Sequence, residues 1–194
     1  MLRAELRPAA DARDALALSD KLERLIDLGQ ATPNDRKAAY HAVRQWREET
    51  AGYAYARGAL AGRAAELKGL SALREIGEIE RWAKISIELD PNFRRGVARR
   101  MLGTLYVLAP SSLLDSGDSE EGLEILEELL EQYPEDPETH LRVAEAYIQL
   151  SDPDPAHERL CFCLRERERL RPTEKRLLDG LVDEVGGKNG LECE

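Results

Sequence analysis

The sequence predicts an all-α fold, an α-α superhelix assembled from repeated antiparallel helical hairpins. Three observations predict it. Arg99-x2-Leu102-Gly103-x2-Tyr106 recurs as His140-x2-Val143-Ala144-x2-Tyr147, a spacing in which a small residue admits the partner helix and a tyrosine fills the gap beside it. Gly117-Asp118, Gly122, Leu126 and Leu129 recur as Ser151-Asp152, Ala156, Leu160 and Cys163, all offset by 34 residues. Hydrophobic residues make up 42% of the chain but aromatics only 5%, and a composition rich in Ala, Leu, Glu and Arg favours helix.

An offset of 34 is the period of the tetratricopeptide repeat, so the expected architecture is a tetratricopeptide-like helical-hairpin repeat array. At 194 residues one domain with its own core is expected, spanning 1–186. Its repeat-like units fall at about 52–91, 93–134 and 138–172, with N-terminal helices over 10–50, a C-terminal helix, and a flexible tail at 187–194.

In chain order, Ala15, Leu18, Leu22, Leu25, Ile26 and Leu28 form a helical stripe over residues 10–28 that Gly29 ends. Thr32-Pro33-Asn34-Asp35 reads as a turn and helix start. The helix it opens runs from about 34 to 70 or breaks near Ala51-Gly52. Gly52, Gly58 and Gly62 in that stretch mark a wall that other helices, or a ligand, approach closely. Residues 71–89 carry Ile76, Ile79, Trp82, Ala83, Ile85 and Ile87 and stop at Asp90-Pro91. Asp118 and Asp152 read as N-caps, and Gly122 and Ala156 as helix crossings. In the last unit the closing proline arrives late, at Pro172, predicting a final repeat helix one turn longer. Gly186-Gly187 ends the last helix.

Tyr106 and Tyr147 lie 41 residues apart rather than 34. Seven residues, roughly 110–116 (Pro-Ser-Ser-Leu-Leu-Asp-Ser), are therefore inserted between two helices of one unit. Insertions in repeat proteins go to loops on one face, often the working one.

The net charge of −10 argues against nucleic acid or an anionic membrane as the main partner, since both need a basic face. No window approaches the 18 or so apolar residues of a spanning helix, so no membrane insertion is expected. Residues 1–14 lack an apolar segment and read as neither signal nor anchor; the expected location is the cytoplasm, or the periplasm if the chain is a processed form. Cys161, Cys163 and Cys193 suggest no disulfide framework: Cys163 takes a core position, and the others read as incidental thiols. No nucleophile motif, phosphate loop or metal-ligand spacing stands out, and His41, His140 and His157 are scattered. The expectation is a non-enzymatic protein with no catalytic residue, metal or cofactor.

First helices line the concave face of such arrays. With Leu102, Gly103 and Tyr106 turned inward, the register puts Val97, Arg100, Thr104 and Val107 in the groove, and Glu138, Leu141, Glu145 and Ile148 in the next unit. Such a groove suits an amphipathic helix or an extended segment. Arg94, Arg95, Arg99 and Arg100 precede twelve acidic side chains between Asp115 and Glu145. A guanidinium fork binds carboxylates bidentately, so Arg100 reads either as a site for a carboxylate ligand or acidic peptide, or as an ion-pair partner of Glu138 or Glu145.

Five segments carry a family likeness: Tyr53-Ala54-Tyr55-Ala56; Ile87-Glu88-Leu89-Asp90-Pro91-x-Phe93; Arg100-x-Leu102-Gly103-x-Leu105-Tyr106-x2-Ala109-Pro110; Gly117-Asp118-x3-Gly122; and Leu141-x2-Ala144-Glu145-x-Tyr147. Together, over about 52–160, the chain resembles the T component associated with TRAP transporters, a divergent tetratricopeptide family. The resemblance implies a helical protein that works with a solute-binding protein partner in the uptake of small organic acids or apolar ligands, and forms a ring-shaped homo-oligomer. The other reading is a general cytoplasmic scaffold that grips a partner peptide and has no transport role.

Overall fold

The computed structural model describes residues 2–187, 191 and 193. Ten α-helices follow in order among them: α1 (Arg7–Asp11), α2 (Ala15–Asp27), α3 (Pro33–Val43), α4 (Ala51–Ala65), α5 (Leu73–Leu89), α6 (Val97–Leu108), α7 (Ser119–Gln132), α8 (Pro137–Gln149), α9 (Asp154–Arg165) and α10 (Pro172–Glu184). Short 3-10 turns lie at Gly69–Ser71, Ser111–Leu113 and Arg167–Arg169. The chain is an all-helical, tetratricopeptide-like array: α4 packs on α5, α6 on α7 and α8 on α9 as successive hairpins. Helices α2 and α3 cover α4, and α10 packs on α8, α9 and α2.

Local chemistry sets the helix starts. Asp14 accepts the Ala17 N–H, Thr50 that of Tyr53, Asp118 those of Glu120 and Glu121, and Asp136 that of Thr139, each satisfying orphan donors of a first turn. Thr32 and Asp35 form a reciprocal capping box behind Pro33. One stripe of each helix is apolar, and the stripes meet in a chain of cores. One joins Leu6, Leu18, Leu22, Tyr53 and Leu60; another joins Leu141, Leu160, Leu178 and Val182.

The crossing of α6 and α7 is as close as the spacing predicts. A Cβ built on Gly103 would sit 2.8 Å from the Gly122 carbonyl oxygen, and one built on Gly122 would sit 2.7 Å from that of Gly103. The two glycines therefore let the backbones touch. Gly117, at φ 78°, turns the chain under Tyr106 in a conformation that a side chain would strain, and a Cβ there would enter the tyrosine ring.

Several expectations are corrected. The helix expected over 10–28 begins at Ala15, because Arg13 turns left-handed and Asp14 caps the new start. Of the two alternatives for 34–70, the break is found: Thr50 caps α4, and the Tyr53 hydroxyl bridges the gap by donating to the Trp46 carbonyl. Asp152 is not an N-cap, since the prolines at 153 and 155 set the start of α9 at Asp154 with no side-chain cap. The last repeat helix is not longer. It ends at Arg165, and a 3-10 turn delivers Leu170 to the core, 3% exposed.

The cysteines also differ from expectation. Cys161 and Cys193 form a disulfide, while Cys163 is buried and free and points its Sγ at the Pro137 carbonyl. Residues two apart on a helix face different ways, which explains why only one of the pair meets Cys193. Residues 188–190, 192 and 194 of the expected flexible tail lie outside the described residues, but Leu191 packs into the C-terminal core beside this disulfide.

Candidate functional site: a two-ended cavity on the concave face

A cavity of about 1070 Å³ is lined by α2, α4, α5, α6, the start of α8, and α10. Its upper half is apolar, formed by Gly62, Ala65, Ile76, Leu105, Leu108 and Leu113. Gly62 has open space above it, the nearest heavy atom to an added Cβ being Ile79 Cδ1 at 3.8 Å. Gly58 and Gly52 instead accommodate Met101 and Phe93, so the glycine wall serves both packing and cavity.

The lower half is a ring of ion pairs. Arg63 bonds Glu23 through Nε and Nη2; Arg171 reaches Glu23 at 3.2 Å and Glu174; Arg100 bonds Asp136 at 2.8 Å and also Glu138. The Thr173 hydroxyl donates to Asp27 at 2.7 Å. Through these contacts α10 closes against α2 and walls one side of the groove. Tyr55 lines the cavity; burial, then the charge of Glu23, raises its phenol above the ordinary tyrosine value, so it is neutral there. Burial also lifts the Glu138 carboxyl above the usual carboxylate range, with Glu174 and Asp136 opposing the two nearby arginines.

The chain enters α6 through three successive left-handed residues, Arg94, Arg95 and Gly96, at φ 47°, 58° and 73°. Such backbone costs of order 1 kcal/mol or more at each non-glycine residue. It directs Arg94 into a two-pronged pair with Asp20, both distances 2.7 Å, and Arg95 over the Tyr133 ring.

Of the eight residues expected in the groove, Val97, Arg100, Thr104 and Glu138 line the cavity. The other four do not. Val107 packs with Leu126, Leu130 and Val143 on the seam of α6, α7 and α8. Leu141 and Ile148 lie in the core under α10, because α10 covers the face of α8 that an open array would expose. Glu145 is buried beside Arg142, to which it is bonded at 2.7 Å. Arg100 pairs with Asp136 and Glu138, not with Glu145.

Sequence reasoning missed Tyr55, Glu23, Arg63 and Arg171. Tyr55 sits in the glycine-rich segment already marked as a wall. The other three come from elements separated by 148 residues in one pair, and only the closure of α10 on α2 brings them together.

The inserted loop, 110–116, forms the apolar rim with Pro110 and Leu113, and its far end is held by one carboxylate. Glu80 of α5, 1% exposed, accepts the backbone N–H groups of Asp115 (2.8 Å) and Ser116 (3.0 Å), the Ser116 hydroxyl (2.9 Å), the Tyr106 hydroxyl (3.2 Å) and the Lys84 ammonium (2.7 Å). Burial works against its charge, yet the bonds from Lys84, Asp115 and Ser116 outweigh it and hold the carboxyl below its ordinary value.

Among the described residues no three or more His, Cys, Asp or Glu side chains group as a metal site, and no helix is long and apolar enough to cross a membrane. A family model for the tetratricopeptide repeat matches residues 113–160, the stretch from the loop through α7 and α8 into α9. No curated protein matches the chain. Tetratricopeptide repeats generally mediate protein–protein interactions, and proteins built from them are typically non-enzymatic scaffolds.

Proposed function

We propose that this protein is a non-enzymatic binding module that holds a small ligand with an apolar portion in the cavity between α4, α5 and α6, and that it presents this ligand to or receives it from a protein partner. The carrying observation is the cavity itself, about 1070 Å³ with one apolar end, at the upper edge of the size range of small-molecule sites. The wall that α10 makes against α2 narrows the groove, which favours a compact ligand over an amphipathic helix. The resemblance to the TRAP transporter T component supports the same reading and suggests a solute-binding protein as partner. The Cys161–Cys193 disulfide favours an oxidising compartment such as the periplasm over the cytoplasm. The other reading, a scaffold for a partner peptide, draws on the repeat match alone.

Gly62→Leu tests the ligand reading. Its side chain projects into the open apolar half, and replacing a mid-helix glycine stabilises α4 by about 0.5–1 kcal/mol. The wild type is expected to bind the neutral fluorophore N-phenyl-1-naphthylamine. Gly62→Leu should weaken that binding at least tenfold with an unchanged or higher melting temperature. Equal binding by both proteins would refute the assignment of the ligand to this cavity.

A further inference from the structure

We propose that the charged end of the cavity selects a ligand bearing a protonated ammonium head on an apolar chain, and disfavours organic acids; this rests on the cavity being the binding site. Three guanidiniums, Arg63, Arg100 and Arg171, face four carboxylates, Glu23, Asp136, Glu138 and Glu174, in the ring described above. Within these seven bonded groups carboxylates outnumber guanidiniums by one; over the whole lining, with Asp20, Asp27 and Glu66 and with Arg24, Arg94, Arg95 and Arg142, the two signs balance, so the surplus is local to the ring. Glu66, which Arg63 also touches, is matched separately by Arg36.

No guanidinium in this ring is free to receive an anion. Arg100 is 13% exposed in its side chain and divided between two carboxylates, and Arg171 is shared among Glu23, Glu138 and Glu174. The neighbouring Arg94 and Arg142 are occupied by Asp20 and Glu145. Arg95, stacked on Tyr133, and Arg24 are exposed at the rim. A ligand carboxylate, which only accepts hydrogen bonds, would meet acceptors and would have to break an existing pair. An ammonium brings three donors and the missing charge.

The surplus centres on Glu138, which sits between Arg100 and Arg171 yet keeps a carboxyl raised by burial and by Glu174. Tyr55 lines the same end, and an aromatic ring there adds cation–π attraction to an ammonium and none to a carboxylate. The apolar half then receives the chain.

Isothermal titration calorimetry of the full chain at pH 7 with octylammonium, octanoate and 1-octanol separates head group from chain. Octylammonium is expected to bind at least tenfold more tightly than octanoate, with octanol between them. Glu138→Gln should remove most of that preference and leave octanol within twofold of wild type. Octanoate binding as tightly as octylammonium, or an undiminished preference in Glu138→Gln, would overturn the head-group assignment while octanol binding keeps the cavity as the site. Binding of none of the three would overturn both.

Discussion

Truncating Glu80 to alanine should release the inserted loop and destabilise the protein more than any other single carboxylate described above. The side chain is 1% exposed and takes five hydrogen bonds, two of them from backbone N–H groups of residues 115 and 116. Glu80→Ala strands both amides, leaves the Tyr106 hydroxyl with Ser116 alone and takes the counter-ion from Lys84. Removing one member of a buried charged network costs about 3–5 kcal/mol, which for a chain of this length lowers the melting temperature by roughly 6–20 °C. Lys84 is 38% exposed, so water replaces part of its share and the lower half of that range is the better expectation. Glu80→Gln keeps one acceptor but turns a donor toward donors, and should fall between wild type and Glu80→Ala. The pH dependence has a definite sign. Because the folded carboxyl lies below its ordinary value of 4.5, its contribution is complete above that pH and is lost as pH falls through the folded pKa. Urea unfolding, with hydrogen exchange at residues 115 and 116, measures both effects. A cost under about 1 kcal/mol, or unchanged exchange at those amides, would refute the assignment of the loop to this carboxylate.

Two other perturbations probe the frame of the cavity. Gly103→Leu would drive its Cβ to 2.8 Å from the Gly122 carbonyl; overpacking against backbone costs about 1–3 kcal/mol or more, and an unshifted thermal midpoint would contradict the crossing. Cys193→Ser opens a covalent loop spanning a sequence separation of 32, which removes about 3–4 kcal/mol on the chain-entropy account. Thiol titration of unreduced, denatured wild type should find one free thiol, and three would contradict the pairing.

Much of the fold could be read because its determinants are local. The 34-residue offset places Gly122, Leu126 and Leu129 at buried positions of α7, and Asp118 caps it as its residue type suggests. The cavity was half legible. A helical register drawn from Leu102, Gly103 and Tyr106 correctly turns Val97, Arg100 and Thr104 inward, since one helix fixes its own faces. It fails at Leu141 and Ile148 because α10 lies outside the repeat period and covers α8. The pairing of Cys161 with Cys193 and of Glu23 with Arg171 escapes for the same reason: each depends on where the C-terminal segment returns, which no periodicity encodes.

That return has a consequence for how the molecule folds and how it could have grown. In an open stack each unit touches only its neighbours, so units can be added at an end and can unfold from an end one by one. Here residue 171 is bonded to residue 23 and residue 173 to residue 27. Helix α10 thus stabilises α2, opening of either breaks contacts of the other, and their unfolding becomes coupled. A hairpin stacked beyond α9 would find the inner face of α8 already covered by α10.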